Sequence, residues 1–158
     1  MRKKLLTLLL TVCFSVSLTA CGENKELTQY KEDMDNFFSE IEAIHVKMNS
    51  INPESETALN ELFTCLDDLN KEFKDMAKLD VPEEFANIEE LADEASENMS
   101  LAVENYHSAY SDESYNEFIA ATADEYYKRA NKRLQYIIDI LHGEIPEGDD
   151  IVITETTE

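Results

Sequence analysis

The feature that most constrains this chain is a series of long amphipathic segments with almost nothing in them to break a helix. Only three of the 158 residues are glycine and three are proline. In residues 27–51 the spacing of apolar side chains alternates between four and three, at Tyr30, Met34, Phe37, Ile41, Ile44, Met48 and Ile51. This spacing places them along one face of an α-helix, as in helical bundles and coiled coils.

Three further segments, at about residues 54–79, 82–110 and 113–142, repeat this periodicity, and none shows β-type alternation. Their apolar stripes comprise Leu59, Leu62, Leu66, Leu69, Phe73 and Met76, then Phe85, Ile88, Ala92, Ala95, Met99, Ala102 and Tyr106, and then Ile119, Ala123, Tyr126, Ala130, Ile137 and Leu141. Because the connections are short, we predict an all-α, antiparallel up-down-up-down four-helix bundle over residues 27–142. The alanines of the third stripe favour a closely packed neighbour.

Four residues are placed to begin and end these helices. Asn52 and Pro53 suit the cap and first position of the second helix. Pro82 suits the start of the third, and Gly143 is a natural residue to close the fourth. Beyond it, residues 143–158 are acidic and poor in apolar side chains, so we predict a disordered acidic tail.

The N-terminus carries a separate signal. Basic residues at positions 2–4 precede an apolar run, residues 5–18, that is too short to span a bilayer comfortably. The run ends in Leu18, Thr19, Ala20 and Cys21. This arrangement resembles the lipobox signal peptide of bacterial lipoprotein precursors. The resemblance covers residues 1–22 alone, and we assign the mature chain to no known family.

The lipobox resemblance implies where the protein works. Residues 1–20 would be a signal peptide removed before Cys21, whose sulfur would carry the lipid, with residues 21–26 as a short linker. Lipid chains such as palmitate would then hold the protein on the extracytoplasmic side of the cell membrane. The first helix would start at the membrane, so the turns at 52–54 and 111–113 would lie at the far end.

Composition limits the partners and the cysteine chemistry. The net charge of −22 excludes nucleic acid, whose phosphates would be repelled. Of the three cysteines, Cys13 lies in the signal peptide and Cys21 at the lipid site, so only Cys65 remains. No intramolecular disulfide is therefore expected, and Cys65 is either a small buried residue or a thiol that pairs between chains.

Two Glu-x-x-His motifs raise the possibility of a metal site. Bundles that bind two metal ions use this motif on two helices and a single glutamate on each of the others. The matching set here is Glu42, His45, Glu61, Glu104, His107 and Glu117. Both motif glutamates lie well away from the centre of their helix's apolar stripe, whereas such ligands must point inward. We therefore expect no metal and no cofactor, and read the motifs as surface acid–histidine pairs.

Two other groups of side chains could form surfaces. Four cations, at Lys128, Arg129, Lys132 and Arg133, are expected to pair within the molecule. Tyrosines gather toward the far end and could form a binding patch there, namely Tyr106, Tyr110 and Tyr115.

The functional expectation is correspondingly general. We find no nucleophile–base pair, glycine-rich phosphate loop or peptidase motif, so we predict no enzyme and no catalytic residues. The leading hypothesis is a lipid-anchored interaction or accessory module of the cell envelope with a possible envelope protein partner and no cleft for small molecules. The alternatives are a metal-binding bundle using the Glu-x-x-His pairs and a structural surface lipoprotein without a specific ligand.

Overall fold

A computed structural model describes residues 24–110 and 115–146 of the chain. In these ranges the chain forms α1 (Lys25–Asn49), α2 (Ala58–Met76), α3 (Asn87–Ala109) and α4 (Glu117–Leu141), with one 3₁₀ turn at Glu83–Phe85. Each helix packs on the next one in the chain. The prediction of an all-α four-helix bundle is confirmed. The signal peptide, Cys21 and residues 147–158 lie outside the described residues.

The core of the bundle follows the predicted stripes. In α1 the first five stripe residues are buried, and Met48 and Ile51 pack partly buried against the core. Phe37 meets the ring of Phe73 on α2 edge to face, with 5.6 Å between ring centroids. Such pairs stabilise a core beyond the apolar area that they bury. Cys65 is fully buried within α2, which places its thiol out of reach of a second chain in the folded protein.

The tightest pairing in the bundle is between α3 and α4. Their buried faces are rich in alanine, whose single methyl group lets helix backbones approach closely. The fully or almost fully buried members are Ala92, Ala95, Ala102, Ala109, Ala123 and Ala130. The close approach predicted for the third helix is therefore confirmed, and α4 is the neighbour that makes it.

The second helix begins later than predicted. Asn52 does cap a turn, since its side chain accepts a hydrogen bond from the Glu54 backbone at 3.1 Å, but α2 starts only at Ala58. The Ser55 hydroxyl lies 2.7 Å from that of Thr57 and accepts from the Thr57 backbone at 3.2 Å. Such local side-chain bonds compete with helix formation, and here they hold residues 52–57 in turns.

The fourth helix is capped at both ends. Asn116 accepts a hydrogen bond from the Ile119 backbone at 3.2 Å, which satisfies one of the free donors at the helix start. Gly143 has a φ of 77°, and the Glu144 amide donates to the Asp139 carbonyl at 2.8 Å. This is the helix-closing geometry predicted for Gly143. No helix within the described ranges is long and apolar enough to cross a membrane.

Tyr30 makes the stability of the bundle sensitive to alkaline pH. Its side chain is buried 5.9 Å from the ring of Phe85, and burial raises the pKa of the phenol to about 12. In the unfolded chain the phenol ionises near pH 10. The folded state therefore favours the neutral phenol, so this contribution to stability is complete below pH 10 and is lost as the pH rises from 10 to 12.

We therefore expect Tyr30→Phe to match the wild type in stability at neutral pH and to become the more stable protein above pH 10. Urea denaturation across this range would measure the effect. Tyr115→Phe, at an exposed position, is the matched control. Parallel stability curves for wild type and Tyr30→Phe would contradict the prediction.

Candidate functional site

The exposed apolar side chains of the described residues concentrate at one end of the bundle. We call this end the tip: α1 and α3 end there, and α2 and α4 begin there. Six large apolar side chains are exposed within residues 24–110 and 115–146, and five of them belong to the tip, namely Val46, Leu59, Tyr110, Tyr115 and Phe118. Phe118 is 81% exposed, on the first turn of α4. Contiguous exposed apolar patches mark interaction surfaces, whereas single exposed apolar residues do not, and within this group the rings of Tyr110 and Tyr115 are in contact.

Aromatic rings connect this surface to the interior. The ring of Phe63 lies 4.3 Å from that of His107 and 5.9 Å from that of Tyr110, measured between centroids. Tyr110 in turn lies 5.0 Å from Tyr115. The tyrosine patch that the sequence suggested thus unites Tyr110 and Tyr115, and Phe63 joins it from α2. Tyr106 instead faces a cavity beside this row of rings.

That cavity, which we call the tip pocket, has a volume of about 250 Å³. All four helices contribute to its lining, which consists of Met48, Leu62, Phe63, Leu66, Tyr106, Tyr110, Asp124 and Tyr127. Seven of these side chains are apolar or aromatic, and Asp124 alone carries a charge. Ligand sites have this composition, mostly apolar with a few placed polar groups, and the volume, which lies just below the usual range of ligand pockets, suits only a small chemical group. The sequence had led us to expect no such cleft.

The polar atoms of the tip pocket influence one another. Burial raises the pKa of the Tyr106 phenol, and the carboxylate of Asp124 raises it further. Burial also raises the pKa of Tyr127, whose hydroxyl lies 3.2 Å from Nε2 of His45. The Asp124 carboxylate is about half exposed and accepts an ion-pair hydrogen bond from Lys128 at 2.6 Å. The pocket therefore has neutral phenols on its walls and a carboxylate where it meets solvent.

The two histidines of the Glu-x-x-His motifs have partners on other helices. His45 of α1 meets Tyr127 of α4, and His107 of α3 lies 2.8 Å from a carboxylate oxygen of Asp67 on α2. We had interpreted each motif as a pair between a glutamate and the histidine one turn later. The structure instead pairs each histidine with a residue of another helix. These contacts depend on how the helices are aligned with one another, which the apolar pattern of a single helix does not predict.

The motif glutamates face solvent. Glu42, Glu61, Glu104 and Glu117 are all exposed, and the Glu61 carboxylate accepts a hydrogen bond from Thr57 at 2.5 Å. Within residues 24–110 and 115–146, no three histidine, cysteine, aspartate or glutamate side chains group closely enough to hold a metal ion. The geometry thus gives the metal-binding hypothesis no support.

The cations of α4 pair within the molecule, as expected. Lys128 binds Asp124, and Arg133 binds Glu94 of α3. Arg129 lies over the ring of Tyr126 with 5.5 Å to its centroid, and Lys132 lies over Tyr136 at 5.4 Å. These contacts engage all four cations within the molecule, and Arg129, Lys132 and Arg133 also line a polar depression together with Glu94, Glu97 and Asn98.

A second cavity lies at the end opposite the tip, between α1 and α4. We call it the proximal groove. It has a volume of about 420 Å³, and its lining is Lys31, Met34, Asp35, Phe38, Ile138, Leu141 and His142. The two helices meet near the tip through His45 and Tyr127 but part at this end.

Comparisons with known protein families, with curated proteins and with solved structures each found no match to this chain. The functional argument therefore rests on the residues and their arrangement.

Two residues central to the tip had not been singled out from the sequence, Phe63 and Asp124. Each lies directly after a residue of its helix's apolar stripe, so the apolar pattern predicts a side chain at the edge of the core and not in a pocket. Only the packing of four helices reveals that both line one pocket. The gathering of tyrosines toward the far end was the one sequence signal that indicated this region.

Proposed function

We propose that this protein is a lipid-anchored, extracytoplasmic accessory module of the cell envelope that binds a partner protein through its tip. The proposal joins two features. The lipobox resemblance supplies a membrane anchor at Cys21. The described bundle then supplies exposed apolar side chains at the end opposite the one where its N-terminus lies.

The observation that carries the proposal is this concentration of exposed apolar side chains. α1 has 25 residues, so the tip lies roughly 37 Å from the start of the bundle at 1.5 Å per residue. A surface at that distance faces away from the anchor. Aromatic side chains are enriched where proteins bind one another, because they bury a large area with few rotatable bonds.

The negative charge of the protein limits the charge that a partner can carry. A chain with a net charge of −22 repels acidic proteins and favours neutral or basic surfaces at long range. Short-range affinity would then come from the apolar tip, with Phe118 as its most exposed side chain.

The experiment that tests the proposal is cross-linking in the native host. A photoreactive phenylalanine analogue replaces Phe118 in one strain and Ile145 in another. Ile145 is the matched control because it is an apolar residue, 75% exposed, at the opposite end of the bundle. We expect one reproducible envelope protein to be captured from position 118 and not from 145.

The same partner should be lost when Phe118→Ser is introduced beside a photoreactive group at Tyr115. Capture of identical products from both ends, or of none from the tip, would contradict the proposal. A structural lipoprotein without a specific ligand would give the second result.

A further inference from the structure

The tip pocket combines aromatic walls with one acidic side chain. Four of its lining residues are aromatic, namely Phe63, Tyr106, Tyr110 and Tyr127. The faces of aromatic rings attract cations, and cages of such rings bind alkylated ammonium groups in other proteins. We propose that the tip pocket binds an alkylammonium cation, with Asp124 as its counter-ion. This proposal does not depend on the partner protein proposed above.

The charges around the pocket favour a cation over a neutral or anionic ligand. Asp124 lies close enough to Tyr106 for its carboxylate to raise the pKa of that phenol. The phenols of Tyr110 and Tyr127 act on Tyr106 in the same direction. All four side chains line the tip pocket, so one carboxylate and three phenol rings border the same space. An anion there would meet a carboxylate in a protein whose net charge is already −22.

The chemistry of the walls distinguishes an alkylammonium from a metal ion. Calcium and magnesium need several oxygen ligands around them. The tip pocket offers one carboxylate, and its other walls are rings and aliphatic chains, among them Leu62 and Leu66. Methyl groups on an ammonium nitrogen make contact with such walls and lower the cost of removing the cation from water.

A lysine beside the pocket shows that the carboxylate of Asp124 accepts an ammonium group. Lys128 Nζ lies 2.6 Å from Asp124, and its side chain is 63% exposed. Exposed ion pairs between residues one turn apart are weak, so an incoming ligand can displace this lysine. Lys128 is therefore a competitor for the same carboxylate, and its removal should tighten ligand binding.

The test is calorimetric titration of the purified full chain with choline. As a neutral control, 3,3-dimethylbutan-1-ol has the shape of choline without its charge. We expect saturable binding of choline, with the alcohol at least about tenfold weaker because it lacks the charge that rings and carboxylate attract. Equal affinities, or no saturable binding of choline, would overturn the proposal.

Two substitutions should move the affinity in opposite directions. Asp124→Asn should weaken choline binding roughly tenfold, because it removes the negative charge that attracts the cation. Lys128→Gln should strengthen choline binding, because it removes the competing ammonium group. Asp139→Asn is the matched control because it makes the same change on α4 near the opposite end. An unchanged affinity in Asp124→Asn would overturn the assignment of the counter-ion.

A peptide that carries trimethyl-lysine identifies the source of the cation. Tighter binding of the peptide than of choline assigns the group to a side chain of another protein, and the reverse assigns it to a free solute. Because the titrations use the purified protein alone, failure of cross-linking at Phe118 would leave their result unaffected.

Discussion

Replacing Cys21 with alanine should move this protein out of the membrane fraction or leave an uncut precursor of higher mass. The lipobox resemblance makes this sulfur the site of lipid attachment. Two or more acyl chains give stable anchoring, whereas a protein without them has none. No helix in the described part of the chain could replace the lipid by crossing the bilayer. If the precursor is still cut, loss of anchoring should be nearly complete in fractionated cells. An uncut precursor would instead stay with the membrane through its apolar run, residues 5–18, and would be recognised by its higher mass.

The matched control for this experiment is Cys13→Ala. It also removes a cysteine from the N-terminal segment, but at a position within the apolar run and not at its end. This variant should be processed and anchored like the wild type. If Cys21→Ala fractionates and migrates like the wild type, the protein is not a lipoprotein of this class.

The largest loss of folding stability is expected from Phe73→Ala. Phe73 is 1% exposed and is one of the largest fully buried side chains, with the ring of Phe37 against it. Truncation of a buried phenylalanine removes its transfer free energy and leaves a cavity, at a cost of about 3–5 kcal/mol. A domain of this size has about 5–15 kcal/mol of stability in total, so the variant should lose a large share of it.

Phe118→Ala provides the comparison for Phe73→Ala. It makes the same chemical change at a side chain that is 81% exposed, so its effect should stay within about 0.5 kcal/mol. Chemical denaturation of both variants measures the difference. Similar losses for the two would show that the ring of Phe118 is packed in solution.

The elements of the fold that the sequence predicts best are those set by periodicity alone. The stripe of α1 from Tyr30 to Ile44 is buried as predicted, because burial of one helix face needs no knowledge of the partner. The start of α2 was misplaced because Ser55 and Thr57 hold local hydrogen bonds that an apolar pattern does not reveal. Local hydrogen bonds between side chains therefore decide where α2 begins, and the spacing of apolar residues does not predict that position.

Contacts between helices were the least predictable. Tyr136 is buried although it lies outside the predicted stripe, and its ring is covered by Lys132 and Arg133 from the preceding turn. The tip pocket depends on the register of all four helices, so its two unexpected members, Phe63 and Asp124, emerge only in three dimensions. The sequence alone indicated only that aromatic side chains lie at this end of the bundle.

The unequal contacts around the bundle give the molecule a stiff side and a compliant side. α3 and α4 are held together along their alanine-rich faces, whereas α1 parts from α4 at the proximal groove. Regions with fewer packed contacts open at lower free energy, so we expect the start of α1 to open before the α3–α4 pair does. A tether at the N-terminus would pull on that same helix. Under tension from a lipid at the N-terminus, we therefore expect the molecule to open first at its proximal end, while Phe63, Tyr106 and Tyr127 keep their arrangement at the tip.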